Sequence, residues 1–190
     1  DDIIVFPELC IPGYLIGDKW ENDWFVRDIA RHNEIIREAT HAGICAIFGS
    51  LNVEEDKKGE DGRLRKSNSG FIAQDGAWIG STDKFLQPNY RFFDDDRHFY
   101  SLRKKMDEMV AGLYHDWHTG KVFAPGGISA RFGGIFEKLF QTFRVKTRIG
   151  WVTIGIILCE DMWHDDYAFN PTEYLVANGA QIIINLSASP

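Results

Sequence analysis

An acid, a cation and a thiol stand at three places where apolar runs give out. Glu8 follows the run at residues 3–6 and Pro7, Lys84 follows the second arm of a hairpin, and Cys159 follows the run at residues 151–158. A thiol is only a few per cent thiolate near neutrality, so a nucleophilic cysteine needs a base, a cation or a helix N-terminus beside it. In such a set Glu8 would take the thiol proton and Lys84 would stabilise developing negative charge. Taken singly, each residue is bland. A glutamate after a strand is usually surface charge, a lysine is usually solvated, and cysteine is among the most buried residue types. Spacings of 76 and 75 residues do not by themselves make the three meet.

The elements that must position them alternate in type. Runs at 3–6, 44–48, 71–73, 151–158 and 182–185 are apolar almost throughout, the pattern of strands covered on both faces. Between the first two, Phe25, Ile29, His32, Ile36 and Ala39 recur at helical spacing, ended by Gly43. Residues 54–66 are charged, contain two glycines and predict a solvated loop with no catalytic part. Asp75-Gly76 predicts a tight hairpin turn whose second strand runs into Asp83-Lys84. Asn170-Pro171 opens a short helix that Asn178-Gly179 ends. Strands alternating with helices place the chain in the α/β class, where reacting groups collect at strand ends.

Composition narrows the function classes. The 190 residues carry 21 basic and 28 acidic side chains, a formal charge of −7, which disfavours nucleic acid and anionic membranes as partners. The 14% aromatic share argues for a folded chain. Cys10, Cys45 and Cys159 have no CxxC spacing and cannot all pair, so neither a disulfide scaffold nor a cysteine zinc site is expected, and a reducing cytoplasm is. No apolar run has the roughly 18 residues of a membrane helix. The chain starts without Met, directly on a strand-like run, and stops just after another, as a piece of a longer protein would.

Four motifs in order carry a resemblance: Phe6-Pro7-Glu8-Leu9 with Gly13-Tyr14; Asp83-Lys84 with Pro88-Asn89-Tyr90; Leu158-Cys159-Glu160-Asp161-Met162-Trp163; and Asn185-Leu186-Ser187-Ala188-Ser189-Pro190. They resemble the nitrilase (carbon–nitrogen hydrolase) superfamily. The run from Lys84 to Arg97, with Cys159-Glu160-Asp161, looks more like the glutamine-hydrolysing domain of the NAD-synthetase branch than a plain nitrilase. The resemblance implies an α/β fold of the four-layer α-β-β-α sandwich type, here an incomplete copy, the interior portion of one hydrolase domain across residues 1–190. It implies Glu8 as general base, Lys84 as oxyanion-stabilising cation and Cys159 as nucleophile, with Tyr90, Glu160 and Ser187 binding substrate. Asp95 would play a supporting part, standing where many relatives have a glutamate one methylene longer. The implied reaction takes glutamine to glutamate and ammonia without metal or organic cofactor. ATP and magnesium would belong to a synthetase domain outside these residues, since no P-loop or Rossmann glycine pattern is present. Other substrates leave a free-standing amidase, carbamoylase or nitrilase, and a catalytically idle assembly module is the alternative of another class.

Residues 100–149 form an extended segment between the Tyr90 motif and the cysteine strand. Nine Lys/Arg against four acids make it +5 on a body of −12. Met106, Met109, Val110 and Leu113 form one helical stripe, and Phe132, Ile135, Phe136, Leu139, Phe140 and Phe143 another, flanked by Gly126-Gly127 and Gly133-Gly134. Core packing is the first expectation for so much aromatic surface, and part of the basic segment is expected to face an acidic neighbour in a homo-oligomer or the synthetase domain. His115 and His118 lack an obvious third ligand and predict ordinary surface residues.

Overall fold

A computed structural model describes residues 3–59, 61–119 and 127–188. Among the described residues seven strands form two sheets. The first orders β1 (Ile3–Val5), β2 (Cys45–Lys58), β3 (Leu64–Gln74) and β4 (Ala77–Asp83), with β1 parallel to β2 and the others antiparallel. The second orders β5 (Phe143–Thr147), β6 (Gly150–Leu158) and β7 (Ile182–Leu186), with β6 and β7 parallel. Between the sheets Cys45, Ile47 and Ile72 pack on Phe143, Val145, Ile154, Ile156 and Leu186. Each such buried side chain stabilises the fold by roughly 1.5–3 kcal/mol. Gly70 keeps the layers close, because a Cβ there would lie 2.8 Å from Ile156 Cγ2.

Helix α1 (Asp23–Ala39) covers the first sheet. Asn22 caps it by accepting from the amides of Trp24 and Phe25, and Gly43 ends the following turn with φ of 84°. On the outer side of the second sheet lies α5 (Pro171–Ala177), with Leu175 against Gly155, Asn170 as cap and Pro171 in the first turn. These are the outer layers of an α-β-β-α arrangement. A four-residue helix α2 (Asp95–His98) and two longer ones, α3 (Leu102–His118) and α4 (Gly127–Leu139), lie between β4 and β5.

Several elements differ from the sequence expectation. The charged stretch 54–66 is mostly strand: Glu54 pairs across to Arg65 and Val53 to Lys66, so only residues 59–63 connect β2 to β3. Opposite charges facing across strands substitute there for apolar content. The buried face of α1 is Val26, Ile29 and Asn33, while His32 and Ala39 are exposed, because Asn33 turns inward to donate to Leu51 O at 3.0 Å. Trp151 and Ile182, at strand starts, are exposed rather than covered. In the 100–149 segment, Phe143 opens β5 instead of extending a helical stripe, and Gly133-Gly134 lie inside α4. Phe136 and Phe140 join Phe85, Phe169 and Tyr174 in a core cluster of this chain. The turn at Asp75-Gly76 has positive φ at both residues (53° and 78°), as the hairpin reading requires.

Candidate active site

Glu8 sits on the turn that leaves β1. The turn crosses β2 at Gly49, whose amide donates to Pro7 O at 3.1 Å, and a Cβ at position 49 would lie 2.5 Å from both Glu8 Cα and Leu9 N. Only glycine allows that approach. Lys84 leaves the end of β4, its amide donating to Asn68 O on β3 at 2.8 Å. The two side chains are 2% and 1% exposed.

They meet in a buried polar cluster. Lys84 Nζ lies 2.8 Å from Glu8 Oε1, 3.0 Å from Asp95 Oδ2 and 3.2 Å from Tyr14 OH. Tyr14 OH donates to Asp95 Oδ1 at 2.7 Å, and Asn68 Nδ2 donates to Glu8 Oε1 at 2.8 Å. Burial alone would pull the Lys84 ammonium down. The charges of Glu8 and Asp95, with Tyr14, outweigh it and hold Lys84 well above the ordinary lysine range. Burial, reinforced by the carboxylates, likewise raises the Tyr14 hydroxyl well above its ordinary value. Lys84 is therefore a permanent cation near neutrality, and the proton acceptors of the cluster are its carboxylates.

Cys159 begins the single 3₁₀ turn Cys159–Met162 that follows β6, and it adopts φ of 40°. A non-glycine residue in that region is strained and is held there by its surroundings. Asp161 supplies the hold. Its buried carboxylate accepts from the amides of Leu158 (3.1 Å), Phe85 (3.1 Å) and Leu86 (2.7 Å), tying the cysteine turn to the two residues after Lys84. Burial outweighs these donors and pushes the Asp161 carboxyl up to about 7.

The strand β7 closes the arrangement. Past its end, Ser187 Oγ donates to Cys159 Sγ at 3.3 Å and the Ala188 amide donates to Glu8 Oε2 at 3.2 Å. Glu8 and Lys84 thus touch directly, and Cys159 is joined to them through residues 85–86 and 187–188. Buried Glu160 accepts from Tyr90 OH at 3.0 Å and Tyr167 OH at 3.3 Å. The hydrogen bond to Glu160 raises the half-exposed Tyr90 hydroxyl. Asp95 is 1% exposed, whereas Asp94 and Asp96 are exposed, which separates the member of the triplet that faces the cluster from the two that do not.

Residue types and spacing did not single out Asn68, Tyr14 or Asp161 for these positions. Asn68 carries no local signal, because it lies in the polar stretch 65–69 of β3, whose burial follows from the packing of the fold and not from its composition. Among the described residues no group of three or more His, Cys, Asp or Glu is arranged to hold a metal ion. His118 instead pairs its ring nitrogen with Tyr114 O at 2.8 Å.

No family model matches the chain. Curated relatives do. The glutamine-dependent NAD(+) synthetases of Synechocystis and of Thermotoga maritima are each 25% identical over the whole chain. The chain spans about a quarter of their length, 28% and 24% respectively. Among solved structures, the glutamine-dependent NAD+ synthetase of Acinetobacter baumannii aligns with a TM-score of 0.59 at 21% identity, covering 100% of this chain and 26% of that one. A nitrilase-superfamily amidase from Nesterenkonia aligns at 0.61 with 12% identity, covering 99% of this chain and 52% of that one. The fold is that of the nitrilase superfamily. A carbon–nitrogen hydrolase from Helicobacter pylori, at 0.57 and 14% identity over 99% of this chain and 48% of that one, has the same arrangement. The nitrilase-type sandwich accounts for the site's position, since the ends of β1, β4, β6 and β7 all deliver residues to one cluster.

Proposed function

We propose that this chain is a thiol-dependent amide hydrolase whose substrate is glutamine. The reading rests on the buried Lys84 ammonium held between Glu8 and Asp95, beside the strained turn that bears Cys159. Glu8 Oε1 is engaged by Lys84 and Asn68, which leaves Oε2, the oxygen next to residues 187–188, to take the Cys159 proton. The thiolate adds to the carboxamide carbon. Lys84 and a backbone N–H beside Cys159 stabilise the oxyanion. Glu8 passes its proton to the departing nitrogen, ammonia leaves, and a thioester remains on Cys159. Glu8 then deprotonates a water, which adds to the thioester carbon, and the thiolate leaves and is reprotonated, giving glutamate and the free thiol. Tyr90 would line the glutamine pocket, and Glu160 and Ser187 would hold the amino-acid end of the substrate.

The relatives are glutamine-dependent NAD(+) synthetases, which supports a further step: the ammonia feeds ATP-dependent NAD synthesis in a domain outside these residues, where ATP and magnesium would bind. A cytoplasmic homo-oligomer completes the proposal. The amidase neighbours favour a second reading, the same chemistry on another amide. A liquid-chromatography assay of glutamate released from glutamine, with asparagine and simple amides as controls, separates the two. Release from glutamine at least tenfold above the controls is expected. Preference for a simple amide would replace the substrate and keep the chemistry, and no amide hydrolysis at all would leave an idle module.

A further inference from the structure

Asn68 lies in the middle of β3, 1% exposed and opposite Leu51 on β2. Both members of the Glu8–Lys84 ion pair rest on it. Its backbone carbonyl accepts from the Lys84 amide at 2.8 Å, and its side-chain Nδ2 donates to Glu8 Oε1 at 2.8 Å. The other side-chain atom, Oδ1, is buried and has no hydrogen-bond partner among the described residues. A buried acceptor without a donor is costly, so an amide at this position is not explained by the fold alone. Its neighbours differ: Ser67 Oγ donates to Tyr100 O at 2.6 Å and Ser69 Oγ to Asp83 Oδ1 at 2.5 Å, contacts that fasten β3 to other elements. Glu8 is what turns the Asn68 amide, since the reverse orientation would set oxygen against carboxylate.

The two oxygens of Glu8 are thereby made unequal. Oε1 accepts from Lys84 Nζ and from Asn68 Nδ2, whereas Oε2 accepts from the Ala188 amide at the longer distance of 3.2 Å. A proton on Oε1 would face two N–H donors, so the proton has to arrive at Oε2, beside residues 187–188. With Lys84 as its one remaining holder on that side, the carboxylate could turn either oxygen to the ammonium. The titratable groups around the pair do not replace the amide. Lys84 already donates to Oε1 and to Asp95 Oδ2, Asp95 offers acceptors, Tyr14 OH donates to Asp95 Oδ1, and Cys159 is reached through Ser187.

On the reading of Glu8 as the general base, we infer that Asn68 is a positioning residue: by fixing Oε1 it directs proton transfer to Oε2.

The test compares the wild type with Asn68→Asp and Asn68→Leu, reading glutamine hydrolysis against pH, melting temperature, and the rate of Cys159 alkylation by iodoacetamide located by peptide mapping. Both variants keep the backbone bond to Lys84, so they isolate the side chain. Near neutrality kcat should fall roughly 10- to 100-fold in each, the effect of losing one hydrogen bond to a charged group. KM should stay within about threefold, because Asn68 acts on the substrate only through Glu8. Alkylation should slow alongside kcat. As pH falls, Asn68→Asp should recover relative to the wild type, since its protonated carboxyl regains a donor, and Asn68→Leu should not. A purely structural part would give no such pH-dependent recovery. Asn68→Leu, which removes the unpartnered oxygen, is the deciding variant if Asn68→Asp does not fold. Unchanged kcat in the variants, a loss confined to KM, or a deficit in Asn68→Asp that is the same at every pH would overturn the inference. A wild type that hydrolyses no amide would instead end the reading of Glu8 as base, and the alkylation rates would still decide for Asn68, with equal rates in variant and wild type overturning its part.

Discussion

At the scale of single residues, the cluster around Lys84 is a charge problem solved by enclosure. One ammonium shared by two carboxylates and a phenol stays protonated, so its task is electrostatic and the proton traffic falls to Glu8. Asp95 meets Lys84 at 3.0 Å in spite of its short side chain, because α2 brings its Cα close to the cluster. Asp95→Asn keeps the shape and removes the charge. A hydrogen bond to a charged group contributes about 1.5–3 kcal/mol, so kcat/KM for glutamine should fall roughly 10- to 100-fold. Steady-state kinetics of that variant check it, and unchanged kcat/KM would show Asp95 to be structural only. Tyr14, which holds the other Asp95 oxygen at 2.7 Å, should show a smaller loss as Tyr14→Phe in the same assay.

At the scale of elements, close backbone approach and a buried carboxylate set the site's geometry. Gly49→Ala would force a Cβ into the Glu8 turn, so both the melting temperature and amide hydrolysis should drop, whereas Gly112→Ala on α3, with open space around it, should stabilise the fold by up to about 1 kcal/mol. Thermal melts of both variants test this. Asp161 gives a pH signature. Its folded pKa of about 7 stands above the ordinary value of 3.8, so the unfolded chain ionises first and stability falls as pH rises between the two, by at most about 4 kcal/mol. Denaturant unfolding should show that fall in the wild type and not in Asp161→Asn; parallel profiles would refute it. Much of this was legible in the sequence. The Asp75-Gly76 hairpin, the Asn170 cap and the strand ends bearing Glu8, Lys84 and Cys159 follow from local chemistry. The β2 and β3 arms through residues 54–66 did not, because charge pairs such as Glu54 with Arg65 replace the apolar signal. Nor did the role of Asp161, whose partners at Phe85 and Leu86 lie 76 and 75 residues away.

At the scale of the whole molecule, two sheets packed face to face bring four strand ends to one buried cluster, while the +5 segment of residues 100–149 is held by aromatic packing on its inner side. Arg103, Arg131 and Lys138 face outward on α3 and α4. If that face meets an acidic neighbour, Arg103→Glu with Arg131→Glu and Lys138→Glu should weaken association in light scattering at low salt while leaving the unfolding free energy within about 1 kcal/mol of the wild type. Deleting residues 103–146 would be a poorer test, since it removes most of β5. The central claim concerns one sulfur among three. Peptide mapping after incubation with a glutamine-like chloroketone reads it directly. The adduct is expected on Cys159, in step with loss of glutamine hydrolysis, with Cys10 and Cys45 untouched. An active protein inactivated through Cys10, or one that keeps hydrolysing glutamine with Cys159 fully modified, would contradict the account.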